Sequence, residues 1–239
     1  MRVKRFWWTI IVGLVGFVNL YLALLWSPPE ATMGNLVRIM YFHVSSAWIA
    51  FFAFFVTFVF AVLYLIKKNL KFDRIAAASA EIGLLYTAFT LITGSLWARP
   101  IWNTWWTWDP RLTTTLILFF LYVGYLLLRG TITGFARRAR VTGIFAIISF
   151  IDVPIIHLSV TWWRSIHPQV ITEAGFNMPP AMVVALLFGF VAFLCIYLLL
   201  LSLRVTQEAD KMRIFALRQS IRSLHDEGQD PVVGLGGQH

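Results

Sequence analysis

The sequence predicts an all-α polytopic membrane protein with six transmembrane helices, both termini cytoplasmic, and a tryptophan-rich outer-face loop between helices 3 and 4. Of its 239 residues, 59% are hydrophobic and only 13% charged, against about 25% charged in a water-soluble domain. Six apolar runs reach the length of about 20 residues that crosses a hydrocarbon core. The basic residues fall unevenly between the connections, and that unevenness orients the chain.

The runs are 6–26, 41–66, 75–97, 112–128, 141–161 and 181–203. The first has full spanning length and no small-residue cleavage site after it, so it reads as an uncleaved helix. Arg2, Lys4 and Arg5 precede it; Lys67, Lys68, Lys71 and Arg74 follow the second run; Arg129, Arg137, Arg138 and Arg140 follow the fourth; five more follow the sixth. That is 16 of 20 basic residues on one side, with Arg38, Arg99, Arg111 and Arg164 on the other. By the positive-inside bias the first side is cytoplasmic. The net charge of +9 is then mostly a topology signal, and no nucleic-acid partner follows from it. The organisation is a six-helix domain over 1–203, bearing the outer loop 99–112, and a cytoplasmic tail over 204–239. In the tail, Ile214, Leu217, Ile221 and Leu224 recur at helical spacing, which predicts a short interfacial helix before a Gly-rich, disordered end. Cys195, the only cysteine, excludes internal disulfides, thiolate zinc sites and CxxCH haem attachment, and reads as a small apolar core residue.

The stretch WNTWWTWDP, residues 102–110, holds four tryptophans. Trp7 and Trp8 lie at the cytoplasmic edge. Trp26, Trp48, Trp97, Trp102, Trp105, Trp106, Trp108, Trp162 and Trp163 lie in or near the outer face. An interfacial aromatic belt decorates both sides of a membrane and accounts for Trp26 and Trp48. Nine against two is too lopsided for a belt alone, so the loop cluster reads as a binding surface.

The histidines share the asymmetry. His43 opens the second run, His157 lies in the outer part of the fifth and His167 follows it; His225 and His239 are in the tail. A ligand that uses both outer histidines and tryptophans is flat, aromatic and metal-containing. Haem fits: its iron takes imidazole axially and its macrocycle offers π faces to aromatic rings. Its two propionates need cations, and Arg38, Arg99 and Arg111 are on the same side.

Three acids have both structural and functional readings. Asp109, directly before Pro110, fits a helix N-cap with proline in the first turn; contact with ligand or partner is the alternative. Glu81 and Asp152 are intramembrane carboxylates, functional candidates by default. Neither has an evident basic partner at its depth. Pro154 cannot donate to the carbonyl of Phe150, so Asp152 is placed to repair that kink.

The stretches RIMYFHV, GSLWARPIWNTWWTWDPRLT and PIIHLSVTWWRSIHP resemble the CcmC family of cytochrome c maturation, a branch of the WWD-domain haem-handling proteins. The resemblance runs from about residue 33 to 203, and six spans suit CcmC better than the larger CcmF type. It implies haem b held transiently at the outer face of the bacterial inner membrane. His43 and His167 match the family's two flanking histidines and would ligate iron. Trp97, Trp102, Trp105, Trp106, Trp108, Asp109, Arg38 and Arg111 would surround the macrocycle. It also implies presentation of haem to the membrane-anchored chaperone CcmE, which captures it covalently. The ABC transporter CcmAB and the small membrane peptide CcmD complete the release complex. The chain itself would orient haem and form no bond, so it would be no enzyme.

Depth counting bears on the choice between His157 and His167. At about 1.5 Å per helical residue, His43 lies roughly 36 Å from Lys67, beyond a hydrocarbon core of about 30 Å. His157 lies roughly 26 Å from Arg140, inside that core, whereas His167 is ten residues further out. His167 is therefore the expected partner of His43. Three rival classes remain weaker. A rhomboid-like protease would use Ser95 and His157 and leave the tryptophans without a task. A cytochrome b-like electron carrier wants a second histidine pair near the cytoplasmic leaflet, which the spans lack. A small-molecule transporter wants broken helices around a midplane polar site, and only Asp152 and Pro154 suggest one.

Overall fold

The computed structural model describes residues 2–163, 165, 167, 171–172 and 175–229. The chain is an all-α, six-span polytopic membrane protein. The spans are Phe6–Trp26, Val37–Lys67, Leu70–Trp102, Pro110–Thr131, Phe135–Trp162 and Pro180–Ser223. They are built from α1 (Arg2–Tyr21) with a π-helical turn Leu22–Trp26, α2 (Val37–Lys67), α3 (Leu70–Trp102), α4 (Pro110–Thr131), α5 (Phe135–Phe150), α6 (Asp152–Trp162) and α7 (Pro180–Gln229). The only strands among the described residues are β1 (Ile171–Thr172) and β2 (Gly175–Phe176), a minimal antiparallel pair between α6 and α7.

The connections follow from local chemistry. Lys68 adopts a left-handed conformation that ends α2, and the Asn69 side chain accepts from Lys71 N–H at 2.9 Å to start α3. This tight reversal makes α2 and α3 an antiparallel pair. Asn103, also left-handed, ends α3. Between α1 and α2, the exposed Glu30 carboxylate accepts from the Thr32 hydroxyl and from the N–H groups of Met33 and Thr32. Those bonds hold its pKa below the usual carboxylate value.

Packing within the bundle relies on small residues, because lipid offers no hydrophobic drive for helix association. Along α3, Ala76, Ala77, Ala80 and Gly83 face the interior. A Cβ at Gly83 would stand 2.7 Å from Phe54 Cε1, so only glycine lets α2 approach this closely. Phe54 in turn stacks on Tyr122 of α4 with ring centres 3.7 Å apart. Two hydroxyls in this core are paired across helices: Ser79 Oγ donates to Ala53 O at 2.7 Å, and Tyr86 Oη to Phe193 O at 3.0 Å.

The fifth span is broken. Pro154 has no N–H to give to Phe150 O, and α5 stops at Phe150; Ile151 N–H tightens onto Ile148 O before α6 resumes at Asp152. The two halves then pack differently. α5 lies against α2 and α4, whereas α6 packs on α4 and draws away from α2. Asp152 is buried beside the break, but its Oδ2 has no hydrogen-bond partner among the described residues. The expected polar repair through that oxygen is absent there.

Two further expectations are corrected. The segment after the sixth run is not a separate interfacial helix: α7 continues unbroken from Pro180 to Gln229, because nothing between 204 and 223 breaks a helix. Its continuation docks Phe215 edge-on against Phe135 of α5, with ring centres 5.2 Å apart. Residues 230–239, expected to be disordered, lie outside the described residues, as does His239. Secondly, Glu81 does have a basic partner. Arg204, carried on the unbroken α7, donates to its carboxylate through Nε at 2.6 Å and through Nη2.

One ion pair is sealed in. Arg129 of α4 grips Asp73 of α3 with two parallel bonds of 2.8 and 2.7 Å, the side chains 9% and 6% exposed. Thr142 of α5 accepts from the same guanidinium at 3.2 Å. Removing one partner strands a buried charge, which costs about 3–5 kcal/mol. Asp73→Ala should therefore lower the unfolding midpoint of the detergent-purified protein sharply, and the double change Asp73→Leu with Arg129→Met should regain most of it. Equal midpoints for wild type and Asp73→Ala would remove the pair from the stability of the fold.

Candidate functional site

Where α6 leaves α2, a cavity of about 640 Å3 opens between the α2–α3 pair and the α4–α6 pair. Pockets that hold cofactor-sized ligands span about 300–1,000 Å3. Its wall is mostly apolar, with His43, His157, His167, Arg111 and threonines of α3 and α4 placed on it.

His43 is held from behind. It is buried on the second turn of α2, and its Nδ1 lies 3.1 Å from Thr90 O and 3.2 Å from Thr93 Oγ1. The Thr90 carbonyl can only accept, so Nδ1 carries the proton and donates. The Thr93 hydroxyl sends its own proton to Phe89 O at 2.7 Å. The neutral imidazole then keeps its lone pair on Nε2, the arrangement in which histidine serves as a metal ligand. Gly94 makes the space: a Cβ there would lie 2.9 Å from His43 Cε1.

His167 meets His43 across the cavity. The ring centres are 6.3 Å apart and the planes inclined by 31°. An imidazole nitrogen bonds a transition metal at about 2 Å and its ring centre lies about 1 Å beyond, so two imidazoles on opposite sides of one metal have centres about 6 Å apart. Arg111 Nη1 donates to His167 Nδ1 at 3.4 Å. Among the described residues no group of three or more His, Cys, Asp and Glu side chains could hold a metal ion. A bare ion such as zinc needs four ligands in a structural site. Two imidazoles leave the remaining positions of a metal to other ligands, as a macrocycle supplies them.

The tryptophans separate into two groups. Trp97 is buried, its ring centre 6.0 Å from that of His43, and Trp102 and Trp106 are half-buried on the cavity wall. Trp105 and Trp108 are 57% and 76% exposed and off that wall. Trp105 instead lines a shallow groove with Leu91, Ile92, Ser95 and Leu96, under the Arg99 guanidinium 6.0 Å from its centroid. Trp48, assigned to the aromatic belt from sequence, lies on the cavity wall and meets Phe190 edge-on. Asp109 caps α4, accepting from Arg111 N–H at 3.0 Å with Pro110 in the first turn. Arg38 and Asp109 are not on the wall, and Arg164 lies outside the described residues. Ser95 and His157, the pair a protease would need, line different hollows.

Sequence reasoning missed Thr90, Thr93 and Gly94. A signal existed: Thr87, Thr90 and Thr93 recur every third residue, a polar line down one face of an otherwise apolar span.

The chain matches the family model described as CcmC, haem exporter protein C, over residues 2–220. It belongs to the CcmC family. It is 34% identical over 218 residues to the haem exporter protein C of Bradyrhizobium diazoefficiens, covering 90% of this chain and 79% of that one. With the haem exporter protein C of Haemophilus influenzae it shares 33% over 214 residues, 86% of each chain. With that of Escherichia coli strain K12 it shares 34% over 203 residues, 83% of this chain and 82% of the other. The matches to these CcmC proteins run nearly the length of the six-span bundle, well beyond the tryptophan loop.

Because Gly94 leaves room for the His43 ring, Gly94→Ala should tilt the imidazole out of line. Disturbing the supports of a metal-binding histidine costs about 10–100-fold in affinity, so added iron-porphyrin should bind at least tenfold more weakly to the purified variant. Unchanged binding in a titration followed by absorbance would show that the close approach at Gly94 does not set the ring's position.

Proposed function

We propose that this CcmC-family chain acts in cytochrome c maturation by binding haem b transiently at the outer, periplasmic face of the bacterial inner membrane. There it presents haem to the chaperone CcmE, within an assembly with CcmAB and CcmD. The observation that carries this reading is the 6.3 Å spacing of the His43 and His167 rings across an apolar cavity. His43 and His167 would hold the iron, and the macrocycle would supply the rest of its ligand set. The outward orientation rests on the basic residues at the opposite end of the bundle.

Each residue then has a task. His43, its Nδ1–H fixed by Thr90 O, offers Nε2 to the iron. His167 would likewise offer its Nε2, which requires its proton on Nδ1. That proton turns the Arg111 guanidinium away from the ring and frees it for a propionate. Trp97, Trp102 and Trp106 give the macrocycle flat apolar contact. Asp109 acts indirectly, by fixing how the tryptophan loop enters α4. Trp105 and Trp108, exposed and off the cavity, are available to the chaperone. The chain forms and breaks no covalent bond, so its role is delivery and not catalysis.

His167→Ala should abolish the low-spin bis-histidine spectrum of the haem-loaded protein, with partial recovery on adding imidazole, while His157→Ala leaves the spectrum largely unchanged. The opposite pattern would sink the assignment. Cells lacking CcmE should yield protein with more haem than cells containing it; a band indifferent to the chaperone would point to an electron carrier.

Trp106→Ala should reduce co-purified haem severalfold with insertion intact. Trp108→Ala should retain haem yet slow its transfer to CcmE. If both variants lose haem equally, the separation of the loop into a cavity wall and an exposed face is wrong.

A further inference from the structure

The histidine pair occupies only one end of the cavity. From His43 to Phe51, both on its wall, α2 runs inward by eight residues, about 12 Å of helix. The inner part is bounded by Ala47, Ala50 and Phe51 of α2, Thr87 of α3 and Ile156 of α6, and it also contains His157. We propose that His157 forms an inner, single-imidazole site for an iron-porphyrin arriving from the lipid, which holds it before His43 and His167 take it over. This inference rests on the reading of the outer pair as iron ligands.

Three observations converge on it. His157 is exposed although it lies in the middle of α6, five residues inward of the helix end at Trp162. Its ring has no hydrogen-bond partner among the described residues, in contrast to His43, whose Nδ1 is tied to α3. An imidazole at membrane depth ordinarily finds a partner within the protein. Lastly, His157 stands beside the separation of α2 from α6 that begins at the Pro154 break. A flat apolar molecule moving in from the bilayer between those helices would pass the exposed His157.

The site is suited to holding and not to keeping. Ala47 and Ala50, on the wall contributed by α2, are small enough to leave width for a macrocycle, and among the described residues no other His, Cys or Met is on the inner wall. His157 would offer iron a single protein ligand and His43 with His167 would offer two, which would favour movement outward. Arg111, the cation on the cavity wall, is at the outer end, at the start of α4. It draws the carboxylate edge of the porphyrin the same way.

The test uses the full chain in lipid nanodiscs titrated with hemin. Wild type should show the bis-histidine low-spin spectrum; its absence would defeat the reading of the outer pair, separately from the inner site. The His43→Ala/His167→Ala double variant should still bind hemin, with the high-spin spectrum of a single imidazole ligand. Adding His157→Ala should remove that spectrum and weaken binding at least tenfold. His157→Gln, which stays polar but offers no imidazole, should do the same and serves if the alanine variant fails to fold. A double variant that binds no hemin, or one that cannot be told from the triple variants, overturns the inner site.

Discussion

The missing N–H of Pro154 is the constraint on which the rest of the molecule depends. The inner half of the fifth span, α5, lies along α2 and α4. The helix stops at Phe150 and resumes at Asp152 on a new course, against α4. The space vacated beside α2 is the cavity, and the cavity determines which side chains can meet. His43 and Trp97 face it from one side, Arg111 and α6 from the other, and the segment after α6 returns His167 across its end. A helix break that would weaken a purely structural bundle here makes a container.

The two ends of the bundle are stabilised by different physics. At the basic end, charges are neutralised by specific acids: Asp73 with Arg129, and Glu81 with Arg204. These pairs bind α3 to α4 and α3 to α7, so the end remote from the cavity is locked. At the cavity end, three threonines of α3 are satisfied locally. Thr87, Thr90 and Thr93 return their hydroxyl protons to carbonyls one turn earlier in α3. That leaves oxygen lone pairs facing α2, and one of them, with the Thr90 carbonyl, orients His43. The rigidity of one end and the openness of the other are complementary: the locked helices hold the cavity walls apart.

Much of this was legible in the sequence. Composition and run length predict six spans, and hydropathy periods that long have no other stable resolution in lipid. Asp109 before Pro110 predicts the cap that starts α4, because capping depends on neighbours in the chain. The motif residues place His43, His167 and the tryptophan loop near each other, and the structure sets the two rings facing each other. Elsewhere the sequence misled. Glu81 looked unpartnered because Arg204 is 123 positions away, and the tail looked like a separate helix because its polarity changes while its helical geometry does not.

What the sequence by itself determined is one-dimensional: which segments cross the membrane, where helices start, and where Pro154 withholds a helical hydrogen bond. These depend on local hydrogen-bond chemistry and on transfer of each side chain to lipid, both readable residue by residue. What only the tertiary structure decided is direction. The four loop tryptophans are equivalent in sequence, yet Trp102 and Trp106 turn to the cavity while Trp105 and Trp108 turn away. His43 has a defined tautomer only because Thr90, Thr93 and Gly94 lie behind it on a different helix. Direction depends on how helices rotate and tilt against one another, and that is fixed by close packing at residues such as Gly83 and Phe54, which carry no mark of it in the sequence.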